Sequence, residues 1–206
     1  MRFIEALTLT GHKWLILEPL ERRHEPELLE AARDGQLWNH WYTAVAGPDT
    51  VTGYMDAALK MRNELGAMPF IVRRKSDGKV VGSTRYFNVD AKNRRLEIGH
   101  TWYSKSVQRT GLNTEAKLLL LKHAFEKLNC IAVEFRTHWF NFDSRAAISR
   151  LGAKQDGVLR NHQISPNGTL RDTVVFSIIA SEWPTVKAHL KHELSKPRNC
   201  PLHHAD

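Results

Sequence analysis

Three short stretches of the chain hold residue types that could do chemistry. Val107–Glu115 reads V-Q-R-T-G-L-N-T-E, a polar turn with one glycine. Before it Leu96, Ile98, His100 and Trp102 alternate with Glu97, Gly99, Thr101 and Tyr103, as in a strand. After it Leu112, Ala116, Leu119, Leu120, His123 and Ala124 fall at helical spacing. A strand–turn–helix of this kind leaves the first helical N–H groups without intrahelical acceptors and aims the positive end of the helix dipole outward, an arrangement that binds phosphate. One glycine between a strand and a helix also serves as a plain connector in many α/β proteins. The second stretch holds Glu97. Its place between apolar neighbours turns it toward a cleft, where a carboxylate can act as a base, or else toward solvent. The third is His138-Trp139-Phe140-Asn141-Phe142-Asp143-Ser144. There His138 is a base, a substrate contact or a structural histidine. Asn141, Asp143 or Ser144 can cap a helix, a role compatible with chemistry by Asn141 and Ser144.

The elements that must position these residues follow from periodicity and breakers. Trp14–Glu18 reads as a strand ended by Pro19, and Glu25–Ala32 as a helix ended by Asp34-Gly35. An aromatic cluster, Trp38, His40, Trp41 and Tyr42, lies in a loop, where it either walls a binding pocket or forms a small core under the first helices. Val51–Leu65 is expected to be a helix with Tyr54, Ala58, Met61 and Leu65 on its inner face. Strands follow at Pro69–Arg73, Val80–Phe87 and Arg95–Tyr103, then the Leu112 helix to about Lys127, and a strand at Ile131–Arg136. Asp143 is the expected cap of a short helix to Arg150. A hairpin at Gln155–Gln163 and Arg171–Ala180, with its turn at Pro166-Asn167-Gly168, precedes a last helix from Trp183. This order predicts an α+β fold with a mixed sheet of six or seven strands. Residues 1–195 are expected to form a single domain, and residues 196–206, rich in Pro, His and charge, a flexible tail.

Bulk properties narrow the class. Length (206 residues) suits one sizeable core, and no run of about 18 apolar residues offers a membrane span. Met1-Arg2-Phe3-Ile4-Glu5 has neither an apolar signal region nor a small-residue cleavage site, and Cys130 and Cys200 have no CxxC partner, so a reducing cytoplasm is expected. The net charge of +8 favours acidic or phosphorylated partners, yet acids are interleaved with the bases and no nucleic-acid motif is present, so direct nucleic-acid binding is not expected. Eleven histidines give no ligand spacing with a third member, so no metal is expected. Ser83 and Cys130 lack a nucleophile elbow or paired base, which argues against a covalent acyl-enzyme.

Gln108-Arg109-Thr110-Gly111-Leu112-Asn113 resembles the Gln/Arg-x-x-Gly-x-Gly/Ala signature of the GNAT acyltransferase superfamily, whose loop cradles the pyrophosphate of coenzyme A. Leu96-Glu97-Ile98-Gly99-His100, Thr114-Glu115-Ala116, Asn141-x-x-Ser144, Leu151-Gly152-Ala153 and Asp156-Gly157-Val158-Leu159-Arg160 stand in the order and spacing of its RimJ/RimL-like branch of ribosomal-protein N-acetyltransferases. The resemblance runs from about Thr8 to Trp183. Asn113 stands where a second small residue is usual; Asn tolerates cap and left-handed geometry, so the loop is expected to close with a narrower cradle.

The resemblance implies a three-layer α/β/α fold whose sheet splays between the strands at 95–103 and 131–137. It also implies acetyl-CoA as acyl donor without a metal, and an amine acceptor, either a protein N-terminus or a small molecule. The N–H groups of Gln108, Arg109, Thr110, Gly111, Leu112, Asn113 and Thr114 would hold phosphate, with Arg109 and Lys105 as the nearest cations. The strand edge at Thr101, Trp102 and Tyr103 and the Asn141 side chain would hold the pantetheine arm. Glu97 would be the base and Ser144 the acid, because Ala147-Ile148-Ser149-Arg150 occupies the region where other branches place a tyrosine. Trp38, Trp41, Tyr42 and His138 would line the acceptor side. On this reading Glu97→Gln is expected to cost most at low pH. Homodimers are common in the resembling family, and a homodimer is possible here. The alternatives from other classes are a non-catalytic acyl-CoA sensor and a ribosome- or RNA-associated module.

Overall fold

The computed structural model describes residues 3–43, 45–165 and 167–197. Pro166 and residues 198–206, most of the expected tail, lie outside them. The elements are β1 (Leu9–Thr10), β2 (Leu15–Pro19), α1 (Glu25–Arg33), α2 (Val51–Glu64), β3 (Met68–Arg74), β4 (Val80–Asp90), β5 (Arg95–Tyr103), α3 (Leu112–Glu126), β6 (Ala132–His138), α4 (Phe142–Arg150), β7 (Lys154–Ile164), β8 (Leu170–Ile179) and α5 (Trp183–Ser195). They build one eight-stranded sheet in the order β1-β2-β3-β4-β5-β6-β8-β7. Every neighbouring pair is antiparallel except β5 and β6. The strand beyond the expected seven is β1, two residues long and too short to show a period.

Each face of the sheet buries its own core. Leu17, Phe70, Leu96, Ile98, Val133 and Phe135 pack with Leu120 and Ala124 of α3. Ile71, Val80 and Trp102 pack with Leu28 of α1 and Met55 and Ala58 of α2 on the opposite face. Helices on both faces make the α/β/α layering. The buried stripe of α2 is Val51, Met55 and Ala58, whereas Leu65 is 64% exposed just past its end. Ala58 belongs to both this stripe and the expected one, so the period alone left the phase of the helix open.

A buried carboxylate ties the first strands to α3. Glu115 accepts the backbone N–H groups of Lys13 (2.9 Å), Trp14 (2.7 Å) and Leu15 (3.2 Å). The contact is so close that a Cβ on Gly11 would stand 2.3 Å from Glu115 Oε2. A Cβ on Gly111 would likewise meet the Trp14 indole Nε1 at 2.5 Å. The glycine of the polar turn is therefore required by packing against Trp14, just before β2, whatever ligand lies over the loop. Glu115→Ala strands three N–H groups that the carboxylate now satisfies, and each buried orphan costs about 1–3 kcal/mol before water fills in. The expected result in a urea titration is a loss of about 3 kcal/mol with an unchanged slope.

Candidate active site

The site starts where β5 and β6 separate. They pair only at Arg95↔Ala132, Leu96↔Val133 and Glu97↔Glu134. From there β6 stays with β8 as far as His138↔Thr173, and β5 stays with β4. The β5 edge from Ile98 to Tyr103 thus faces β6 without a strand partner. A bulge accompanies the separation. The β4–β5 register jumps from Arg85↔Gly99 to Ser83↔Trp102, so His100 and Thr101 together oppose Thr84, and His100 takes φ +48°. One extra residue reverses the faces. Leu96 and Ile98 pack toward α3, but Trp102 packs toward α1 and α2. The expected shared face of Leu96, Ile98, His100 and Trp102 is broken at His100.

The side chains beyond the bulge are held inside the fold. Thr101 Oγ1 bonds Thr84 Oγ1 and accepts from Lys117 Nζ, each at 2.8 Å. Lys117 is 5% exposed and has no carboxylate partner among the described residues, and burial pulls its pKa down to about 7. Trp102 Nε1 donates to Tyr54 Oη (3.2 Å), and the Tyr103 hydroxyl is buried without a partner. What Thr101, Trp102 and Tyr103 offer at the edge is backbone.

A 3-10 turn at Lys105–Val107 leads into the polar loop. Two of the seven N–H groups expected to bind phosphate are occupied: Gln108 N donates to Lys105 O (3.1 Å) and Leu112 N to Thr110 Oγ1 (3.2 Å). The N–H groups of Arg109, Thr110, Gly111, Asn113 and Thr114 have no acceptor among the described residues. Arg109 adopts φ +60°, the left-handed region, just before α3. Gln108 Nε2 bonds the Tyr103 carbonyl (2.9 Å), and Thr114 Oγ1 accepts from Arg150 Nη1 (3.3 Å), so those side chains brace the loop. Asn113 Oδ1 is buried without a donor. Lys105 lines a cleft of about 430 Å³ with Arg33, Gln36 and His40. Five convergent N–H groups and an unpaired strand edge fit a phosphorylated ligand with an amide-rich arm.

Glu97 stands at the last paired register of the splay. It is 3% exposed, accepts from Asn88 Nδ2 (2.8 Å), and its Oε2 lies 3.5 Å from Arg136 Nε. Burial pushes its pKa up to about 6, against the opposing pull of Asn88 and Arg136. On the other wall, α4 begins at Asn141, whose Oδ1 accepts the Ser144 N–H (3.0 Å); the cap is Asn141 and not Asp143. Neither Asn141 Nδ2 nor Ser144 Oγ has a partner among the described residues. From the Glu134 register to His138 the strand covers about 13 Å at ~3.3 Å per residue.

His138 sits between these groups at the end of β6. Its Nδ1 accepts from Phe140 N (3.1 Å), so the ring proton belongs on Nε2, which is buried and unpaired. Burial and Arg171 hold its pKa low. A neutral ring with its Nδ1 lone pair engaged offers Nε2–H as a donor, which argues against the base role and is compatible with either a substrate contact or a structural role. Trp41 (5.1 Å between rings) and Tyr42 (6.2 Å) reach His138, whereas Trp38 packs into the α1–α2 core. Sequence reasoning missed Asn88, Arg85, Arg136, Arg171 and Lys117. Charged residues inside otherwise apolar strand and helix runs were the available signal for Arg85 and Lys117.

A parallel strand pair thus parts beside an open helix N-terminus, with a buried carboxylate at the fork. Residues 15–154 match the acetyltransferase (GNAT) domain family, and the chain belongs to it as a GNAT N-acetyltransferase. YdaF of Bacillus subtilis (strain 168), which carries the name of a candidate ribosomal N-acetyltransferase, is 34% identical over 82% of this chain and 91% of its own. A crystal structure of a GCN5-related N-acetyltransferase from Brucella melitensis is 29% identical, covers 93% of this chain and 87% of its own, and superposes with a TM-score of 0.82. Mycobacterium smegmatis RimJ in complex with CoA-disulfide, 22% identical over 91% of this chain and 94% of its own, shares the fold at a TM-score of 0.75. Among the described residues no helix is long and apolar enough to cross a membrane.

The raised pKa of Glu97 makes a stability prediction. Below the unfolded value of 4.5 the carboxyl is protonated in both states and costs nothing; as pH rises through about 6 the folded protein must hold a buried charge. A shift of this size corresponds to about 2 kcal/mol. Glu97→Gln is therefore expected to leave stability unchanged at pH 4 and to raise it by about 2 kcal/mol at pH 8, measured by chemical denaturation at both.

Proposed function

We propose that this enzyme transfers the acetyl group of acetyl-CoA to a primary amine by direct attack within a ternary complex. The observation that carries this reading is the place of Glu97, a buried carboxylate at the fork of the splay, beside an edge able to hold a thioester. The free N–H groups of Arg109–Thr114 take the pyrophosphate, and the β5 edge and Asn141 take the arm. A backbone N–H beyond the bulge holds the thioester oxygen as it gains charge. Glu97, directly or through one water, removes the proton of the acceptor ammonium. The neutral amine nitrogen bonds the carbonyl carbon, the C–S bond breaks, Ser144 passes its proton to the leaving thiolate, and the second proton lost from the nitrogen returns to Ser144 through water, leaving the thiol, the amide and protonated Glu97.

A base with a pKa of about 6 suits an α-amine better than a lysine. An α-amine of pKa ~8 is about 10% neutral at pH 7, a lysine amine only ~0.04%. Protein N-termini and small-molecule amines are thus the acceptor classes. The buried free thiol of Cys130 agrees with a cytoplasmic setting, where acetyl-CoA is available.

Burial of Glu97 also reverses the pH at which its loss is felt. At pH 5 a group of pKa 6 is only about one-tenth ionised and helps little; above pH 7 it is the working base. In a thiol-release assay, Glu97→Gln should lower kcat/KM by about 10²-fold at pH 8, and the deficit should shrink about tenfold by pH 5. Asn141→Ala should raise KM for acetyl-CoA more than it lowers kcat. A pH-independent Glu97→Gln deficit, or none, would contradict the base assignment.

A further inference from the structure

The face of the sheet that carries Glu97 also carries three buried N–H donors that make no hydrogen bond among the described residues, although one of them stands 3.5 Å from Glu97 Oε2 as an ion pair. These are Arg85 Nε, Arg136 Nε and His138 Nε2. Arg85 is the extreme case. It is 2% exposed in the middle of β4, it pairs with no carboxylate among the described residues, and its neutral partners are the Met61 thioether, 3.0 Å from Nη1, and the Tyr54 side chain. The Tyr54 ring lies 5.6 Å from its Cζ. Burial lowers its pKa, as for a cation held without a counter-ion. A guanidinium taken out of water without an anion is among the costliest groups a fold can keep. Such an arrangement persists where a ligand brings the missing charge.

The register says where that charge would lie. Arg85 pairs with Gly99 and Phe87 with Glu97, so Arg85 and Glu97 point to the same face as diagonal neighbours, roughly 7–8 Å apart at Cβ. The local acids are spoken for. Glu134 bonds Arg95 and Arg136, and Asp172 bonds Arg160 and the Asn161 N–H. Glu97 faces Asn88 and Arg136. The other cations of the face are less available. Arg136 is engaged by these acids, and Arg171 donates to Thr173 Oγ1 (3.1 Å). A guanidinium with neutral partners only, Met61 and Tyr54, and an unpaired Nε balances one planar monoanion.

We infer that the acceptor is a primary amine that also bears a carboxylate, with the amine at Glu97 and the carboxylate on Arg85. The inference rests on the acetyl-transfer reading and adds the acceptor's second group. The carboxylate belongs either to a free amino acid or to an acidic side chain beside a peptide N-terminus. His138 Nε2–H, under Trp41, supplies a further donor to the acceptor's oxygen atoms.

The test uses the full chain with acetyl-CoA and thiol release as readout. One arm compares L-glutamate, L-methionine and L-phenylalanine with their carboxamides. The other compares tripeptides with Asp or Glu in the first two positions with their Asn or Gln counterparts. The carboxylate member of one arm should be preferred by about 10²-fold in kcat/KM, because a site built around a charged hydrogen bond rejects the analogue that lacks it. Which arm discriminates identifies the source. In Arg85→Met the preference should collapse to within about threefold while the thermal shift with acetyl-CoA persists. Should Arg85→Met not fold, the wild-type melt with the preferred acid's N-acetyl product against the N-acetyl product of its uncharged counterpart decides, the acid alone raising the transition. Equal rates in both arms, an unchanged preference in folded Arg85→Met, or equal product shifts would overturn the inference. Absence of both thiol release and any acetyl-CoA shift would instead overturn the acetyl-transfer reading beneath it.

Discussion

The site depends on a hydrogen-bonded ladder that stops early. β5 and β6 are parallel neighbours for three registers and then part, each continuing with its other partner. Unpaired strand backbone is normally a liability because its N–H and C=O groups need partners. Here the unpaired edge is one that an extended amide-bearing ligand could complete. The same parting places Glu97 at the fork and Asn141 and Ser144 on the opposite wall. The bulge at His100 belongs to this geometry, because an extra residue bends β5 and turns Trp102 away into the α1–α2 core.

Besides Glu97, three buried charges mark the cost of keeping the site. Glu115 is fully satisfied by three backbone N–H groups, and it holds the β1–β2 turn against α3 so that Trp14 closes on Gly111. Lys117 is satisfied only by hydroxyls and loses basicity for it. Arg85 is barely satisfied at all. The gradient runs from scaffold to site. Glu115 has three protein donors, whereas Arg85, on the face of Glu97, has no counter-ion among the described residues.

Much of this was legible in the chain. The strand–turn–helix at Arg95–Glu126, the hairpins and the order of elements followed from period and breakers, and the resemblance carried by Gln108–Asn113 pointed to the splay and the family that the comparisons show. The remainder hung on register and on positive φ, which periodicity does not encode. A histidine in left-handed conformation at position 100 inverted every side chain after it, so Trp102 was assigned to the wrong face. Asn141, not Asp143, proved to be the cap because the choice among three neighbouring capping residues is made by backbone geometry. Glu115 was visible only as part of a flanking motif, since its partners lie about a hundred residues away. Arg85 and Glu97 are neighbours only once β4 and β5 are in register.

The central claim is that the donor lies along the β5 edge with its phosphates over the start of α3. Amide hydrogen exchange followed by mass spectrometry, with and without coenzyme A, tests it most directly. Backbone N–H groups without protein acceptors exchange fast when free and slow when a ligand takes them. Protection is expected in two segments, 98–103 and 109–114, with little change in the β7–β8 hairpin. Coenzyme binding that protects another surface, or leaves both segments exchanging as before, would contradict the placement of the donor.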